Sequence, residues 1–186
     1  LFGEFTENCT FDGGSTTLTA VGTRFDVFVA KYSATGGFLW AKRGGGPDHD
    51  TAGAVTVDAD DNIYIGGNFT DTADFGSTIL TIEGGTTRDD DAYIAQLNSA
   101  GAYQWARRFG EPAGGSSSED VTLLVPKSAG GVFFGGYYDG PWSLPDAVLP
   151  DLEGAFAGHI AAGSSVQWAE GLNAAYRPYL VDFRYG

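Results

Sequence analysis

A tryptophan followed by alanine recurs three times along this chain at nearly constant spacing. The residues are Trp40, Trp105 and Trp168, which lie 65 and 63 residues apart. Each one follows an apolar segment and a glycine- or serine-containing turn, in the windows FVAKYSATGGFLWAKR, YIAQLNSAGAYQWARR and FAGHIAAGSSVQWAEG. Similarity at a fixed period is typical of repeat proteins, in which one supersecondary unit is copied and stacked on its neighbours.

A second pattern runs in phase with the tryptophans. The segment GNFTD at 67–71 matches GEFTE at 3–7, an offset of 64 residues, and GYYD at 136–139 is the third copy. Two patterns that share one period indicate three copies of a single unit.

Each unit is predicted to form four short antiparallel strands. In the middle unit these are residues 53–58, 63–69, 92–98 and 102–109, with a short β-like piece at 79–82. The predicted strands are rich in Val, Ile, Tyr, Phe and Trp, whereas Gly, Asp, Asn and Ser fill the breaks between them.

Four antiparallel strands in about 65 residues describe one blade of a β-propeller. The sequence therefore predicts an all-β fold of three such blades. A single blade cannot bury both of its apolar faces, so neighbouring blades must cover them. We interpret Trp40, Trp105 and Trp168 as structural core residues between blades, the alternative being ligand stacking.

Residues 1–186 are predicted to form a single repeat domain. We assign 1–44 to blade 1 (strands two to four), 45–110 to blade 2 and 111–171 to blade 3. Residues 172–186 would supply a closing or donated first strand, at 179–183.

Three blades are too few for a closed ring, since propellers typically have four to eight. We therefore expect a part of a larger propeller, two chains that combine into six blades, or an open assembly. Strand exchange or blade packing would join copies of the chain, and repeated head-to-tail joining would give a filament. The lack of an initial methionine fits a mature form or a fragment.

The windows from Asp26 to Lys42 and from Val55 to Phe69 resemble the bacterial SBBP β-propeller repeat. The resemblance covers nearly all of residues 1–171, but in the third unit Gly154 replaces the Asp26 and Asp91 of the first two. It implies a propeller fold and a secreted or cell-surface bacterial protein. It implies no reaction and no fixed ligand, so no catalytic residue follows from it.

The formal net charge is −14. This acidity disfavours nucleic-acid partners, which require a basic surface. No apolar run approaches the roughly 18 residues of a membrane helix, so no membrane insertion is expected. The single cysteine, Cys9, excludes an internal disulfide, and one Cys with two His is too few for a structural zinc site.

Calcium is the one cofactor that the sequence leaves open. Asp58, Asp60 and Asn62 place oxygen ligands at alternate positions, as calcium loops do. The same residues fall in a predicted hairpin turn, where Asp and Asn are favoured without a metal. A second acidic cluster, Asp89–Asp91, ends at the recurring aspartate that we interpret as a backbone cap.

Two further surface features are candidates. Tyr137, Tyr138 and Trp142 depart from the pattern of the other units and could form a glycan- or protein-binding surface, the alternative being packing of a divergent blade. Asn8 and Asn68 begin N-glycosylation sequons, which also arise by chance in threonine-rich turns.

No catalytic constellation is apparent. No carboxylate pair departs from the repeat, and neither His49 nor His159 lies near a nucleophile motif. We expect an extracellular or cell-surface protein with a structural or adhesive role and no catalysis. The alternatives are a lectin-like propeller that binds carbohydrate and, more remotely, a hydrolase.

Overall fold

The fold was obtained as a computed structural model, which describes residues 1–82, 89–110, 118–128, 130–139, 142–144, 147–149 and 154–173. Within these ranges the chain consists of β-strands, turns and one short 3-10 turn at Asp12–Gly14. The all-β fold predicted from the sequence is confirmed.

The first blade is a three-stranded antiparallel sheet in the order β1-β4-β5, with a β2–β3 hairpin between its first two strands. Its strands are β1 (Phe2–Phe5), β2 (Asn8–Phe11), β3 (Thr16–Thr19), β4 (Asp26–Tyr32) and β5 (Phe38–Gly44). It has the form of a blade without an initial strand.

The second blade is a complete antiparallel sheet in the order β6-β7-β10-β11, with a β8–β9 hairpin inserted after its second strand. Its strands are β6 (Ala54–Val57), β7 (Ile63–Thr70), β8 (Thr72–Phe75), β9 (Thr78–Thr81), β10 (Asp90–Leu97) and β11 (Tyr103–Phe109). The four main strands overlap the four predicted ones. The predicted piece at 79–82 is one arm of a hairpin whose other arm, β8, the sequence did not reveal.

The third blade repeats the second in the order β12-β13-β16-β17, with a β14–β15 hairpin. Its strands are β12 (Ser118–Pro126), β13 (Val132–Asp139), β14 (Trp142–Leu144), β15 (Ala147–Leu149), β16 (Gly154–Ile160) and β17 (Val166–Asn173). The last strand continues two residues beyond the predicted end of the blade at 171. The strand expected at 179–183 lies outside the described residues.

Alternation along the strands gives each blade two apolar faces. In β4, Val27 and Val29 face blade 2, whereas Phe28 and Ala30 lie on the opposite face. One buried cluster fills the space between blades 1 and 2 and includes Val27, Val29, Ile63, Ile65, Phe69, Phe75, Tyr93 and Leu97. A second fills the space between blades 2 and 3 and includes Tyr64, Ile94, Phe109, Val121, Phe134, Phe156 and Ile160.

The recurring glycine before the aromatic step has a steric role. A Cβ at Gly67 would overlap the carbonyl oxygen of Thr51, and a Cβ at Gly136 would overlap that of Asp120. In both blades the segment that enters or begins the first strand crosses the second strand at this glycine, so only a residue without a side chain fits. This close approach explains why the Gly-x-aromatic pattern repeats.

Candidate functional site

The repeated tryptophan forms a seam between consecutive blades. Trp40, near the end of blade 1, donates its indole N–H to the carbonyl oxygen of Ser99 at 3.2 Å, in the β10–β11 turn of blade 2. Gly101 of that turn has φ +80°, and a Cβ there would lie 2.8 Å from the indole ring. The indole therefore packs flat on a turn that glycine keeps open.

The second junction repeats this contact. Trp105 donates its indole N–H to the carbonyl oxygen of Ala162 at 3.3 Å, in the β16–β17 turn of blade 3. Ser99 and Ala162 hold the same position, because each follows the residue that begins its turn's backbone hydrogen bonds, Asn98 or Ala161. At both junctions an indole N–H of one blade thus donates to a turn carbonyl of the next blade.

Trp168 holds the same position in blade 3 but is 42% exposed. Its ring lies 6.3 Å from that of Phe133, and its indole N–H has no acceptor among the described residues. The interpretation as a buried core residue does not describe Trp168, because no blade covers this face within the described part of the chain.

The residues opposite Trp40 and Trp105 on the neighbouring strands belong to a second set of inter-blade contacts, directly for Lys31 and through Tyr64 for Gln96. Lys31 pairs with Asp61 of blade 2 at 3.3 Å. Gln96 donates to the Tyr64 hydroxyl at 2.9 Å, and that hydroxyl also accepts the Gly131 N–H of blade 3 at 3.2 Å.

His159 is the third member of this set and lies opposite Trp168. It is 6% exposed, and its Nε2 has no partner among the described residues. Burial, helped by the nearby Lys127, lowers the pKa of His159, so the ring is neutral at pH 7.

A buried ionic cluster closes blade 1. Arg43 donates to Asp26 at 2.7 Å, and Asp50, from the segment that enters blade 2, accepts the Gly46 N–H at 2.7 Å. Both carboxylates are 0% exposed and both flank Gly45. Burial raises the pKa of Asp50 to about 8, and the negative charge of Asp26 adds to the shift.

The cluster recurs at the end of blade 2. Arg108 pairs with Asp91, and the buried Glu119 lies opposite Tyr138 as Asp50 lies opposite Phe69. Arg43 and Arg108 each pair with a buried aspartate. The sequence did not predict that Asp50 and Glu119 are buried. The only available signal was an acidic residue just before the first strand of blade 2 and one near the start of the first strand of blade 3.

Blade 3 replaces the pair as a unit. Gly154 and Gly171 stand where the other blades have aspartate and arginine. Tyr138 is 1% exposed, and a Cβ at Gly154 would lie 2.7 Å from its ring. The interpretation of Tyr138 as part of a binding surface is therefore wrong, and the alternative, packing of a divergent blade, is confirmed for this residue, because its ring lies against Gly154 where the other blades have aspartate.

The other two aromatic candidates have different outcomes. Tyr137 is half-buried on β13, and the side chain of Trp142 lies outside what the structure describes. The contribution of Trp142 to a binding surface therefore stays a prediction.

The calcium candidates form a turn. The Asp58 carboxylate accepts the backbone N–H groups of Asp60 and Asn62, each at 2.9 Å, and the Asn62 side-chain N–H at 3.0 Å. These bonds outweigh the effect of burial and lower the pKa of Asp58. The Asn62 amide thus points its donor, not its oxygen, at the carboxylate. Across the described ranges no group of three or more His, Cys, Asp or Glu side chains could hold a metal.

The two sequons differ in exposure. Asn68 is 8% exposed and accepts a hydrogen bond from the Thr51 hydroxyl at 2.7 Å, so it is closed to a glycan and that prediction is wrong. Asn8 is exposed and accepts a hydrogen bond from Thr19 at 2.8 Å, and its glycosylation stays a prediction.

An open cleft of about 340 Å³ lies beside the first junction. Its lining includes Lys42, Arg43, Asp74 and Tyr103. The Tyr103 hydroxyl and one Asp74 oxygen are buried with no hydrogen-bond partner among the described residues, and burial raises the pKa of Tyr103. The cleft therefore offers cations, an acceptor and a hydroxyl within one space.

These blades and their repeated junctions define a β-propeller-like repeat protein. No protein-family model matches the chain. The chain is 30% identical over 101 residues to an uncharacterized WD repeat-containing protein of Acanthamoeba polyphaga mimivirus. The match covers 50% of this chain but only 7% of that protein. The described residues contain no helix that could cross a membrane.

Proposed function

We propose that the chain is an extracellular structural or adhesive module of the SBBP-repeat type, without catalysis, that serves a cell-surface or filamentous assembly. The observation that carries the proposal is the identical contact at both junctions, from an indole N–H to a turn carbonyl. A contact that repeats from blade to blade suits a protein whose role is to build extended surfaces.

The electrostatics support a structural role. The carboxyl group with the most strongly raised pKa, Asp50, is fully enclosed and contacts backbone and a neighbouring ion pair. A general acid or base must reach its substrate, which this residue cannot do. The net charge of −14 favours solubility at an exposed surface and disfavours nucleic acid as a partner.

Surface labelling of intact cells tests the location. An antibody against the chain should stain cells of the source organism without permeabilisation, and external protease should remove the signal. A cytoplasmic protein should survive the same treatment. Staining that requires permeabilisation would refute the extracellular assignment.

A lectin-like role is the second candidate, and the cleft beside the first junction favours it. Sugars present hydroxyl groups that Asp74 and the Tyr103 hydroxyl would bind, and a neighbouring cation suits acidic sugars. A glycan array should give a hit that both Tyr103→Phe and Asp74→Asn weaken at least about tenfold, as loss of a buried hydrogen bond implies. No binding at millimolar sugar would refute the lectin-like role. Binding to surface proteins would be tested separately, by the adhesion of protein-coated beads.

A further inference from the structure

Blade 1 presents the acceptor that Trp168 lacks. The β4–β5 turn has the same backbone hydrogen bonds as the turns that receive Trp40 and Trp105, from Ser33 N–H to Gly37 and from Gly36 N–H to Ser33. Ala34 therefore holds the position of Ser99 and Ala162, and it is exposed.

The space above this turn is open. Gly36 has φ +83°, close to the +80° of Gly101, but a Cβ at Gly36 would meet nothing within 4 Å. At Gly101 the same position is filled by the Trp40 ring. The turn of blade 1 thus has the geometry of a turn that receives an indole, but no indole of the described residues packs on it.

The apolar face beside the turn is covered by the β2–β3 hairpin at Phe28 and Ala30, but its end next to the turn has no covering blade among the described residues. Leu97 and Ile160 hold equivalent strand positions in blades 2 and 3 and are fully buried against the preceding blade. Tyr32 holds that position in blade 1 and is 40% exposed. Blade 1 therefore carries the receiving face of a junction, and blade 3 carries the donating face.

We propose that a second copy of the chain docks head to tail on this face, with Trp168 of one copy donating its indole N–H to the Ala34 carbonyl of the other. The indole packs on Gly36, beside Tyr32. Two such junctions close two copies into a six-bladed ring, within the four to eight blades that propellers have. This deepens the proposed function, on which it rests, by naming the partner and the contact.

Sedimentation of the 186-residue chain tests the docking. We expect a concentration-dependent shift to twice the chain mass of 19.5 kDa. Trp168→Ala should raise the dissociation constant at least about thirtyfold, as expected for an aromatic anchor, and Trp168→Phe about fivefold through loss of the hydrogen bond. Ile79→Ala, which truncates another exposed apolar side chain on the β8–β9 hairpin, should leave the constant unchanged.

Mixing two variants distinguishes this geometry from a symmetric face-to-face dimer. Tyr32→Arg blocks the receiving face and Trp168→Ala the donating face, so each alone should be mostly monomeric. A mixture contains one intact pair of faces and should regain a heterodimer, which a face-to-face contact through Trp168 would not do. Circular dichroism confirms that each variant keeps its β-structure.

A chain that stays monomeric throughout the series, or a Trp168→Ala variant that dimerises like the wild type, overturns the docking. Either result leaves the cell-surface location intact, because the labelling experiment does not depend on self-association. Failure of labelling with dimerisation retained would instead refute the proposed function alone.

Discussion

Blades 2 and 3 have the same sheet order but solve one packing problem in two ways. Blade 2, like blade 1, buries an aspartate–arginine pair where the third strand begins, and a third acidic residue lies in the following segment. Blade 3 has glycine at both positions and packs the Tyr138 ring against Gly154. The comparison teaches that the cluster is exchanged as a unit, because a buried charge without its partner is very costly.

The largest effect should come from removing only one partner of the buried aspartate–arginine pair. Arg43→Met leaves Asp26 buried without its cation, and should lower the free energy of unfolding by about 3–5 kcal/mol. Denaturant titration near pH 7 measures this loss. The double variant Asp26→Asn/Arg43→Met should regain part of it, and equal losses in the single and double variants would contradict a coupled pair.

Asp50 gives the comparison a pH dependence. Its pKa is about 8 in the folded protein and 3.8 in the unfolded chain, so folding takes up a proton between these limits and wild-type stability falls as pH rises from about 4 to 8. Asp50→Asn keeps an acceptor for Gly46 and does not titrate. It should match the wild type near pH 4 and exceed it by about 4 kcal/mol at pH 7.

Denaturant titrations across this range measure the difference. Asp120, whose pKa burial raises to about 6, contributes in the same direction to both proteins and cancels in the comparison. A constant difference at all pH values would show that Asp50 is not the titrating group.

In blade 3, stability should be sensitive to any volume added where the Tyr138 ring packs against Gly154. Gly154→Ala places a methyl group against the Tyr138 ring and should cost about 2 kcal/mol by overpacking. Thermal unfolding measures the cost. Gly163→Ala is a control, since a Cβ there would meet nothing within 4 Å. A Gly154→Ala variant as stable as this control would contradict close packing of the ring.

The smallest effect should come from an ion pair near the surface. Lys31 and Asp61 join blades 1 and 2, but their side chains are 26% and 68% exposed. Lys31→Met should change stability by about 0.5 kcal/mol or less, because water and salt screen such pairs. A loss comparable to that of Arg43→Met would mean that burial does not separate the two kinds of pair.

Local sequence patterns predicted the strands well, but they predicted the contacts between blades poorly. The main strands of blade 2 follow from residue type and turn signals, which act over a few neighbours. β8 was not predicted because Thr72–Phe75 is only four residues long and contains Ala and Asp, which are uncommon in strands. Asp50 escaped because it meets Asp26 only when the chain enters the next blade, a contact that no local pattern encodes.

The error on Tyr138 has a similar origin. An aromatic residue that departs from the repeat suggested a surface feature, whereas the departure compensates for Gly154 on the neighbouring strand. Taken together, the changes at positions 138, 154 and 171 indicate a buried ring at Tyr138. Trp168 could not be separated from Trp40 and Trp105 by its sequence, because its exposure depends on what lies beyond blade 3.

The tryptophan seam gives the stack a direction. Every blade offers an indole on one side and a turn carbonyl on the other, so any blade can follow any other without a special adapter. Duplication or deletion of a whole blade in the gene would therefore preserve the contacts at each joint. A chain built this way can change its length in evolution in steps of one repeat.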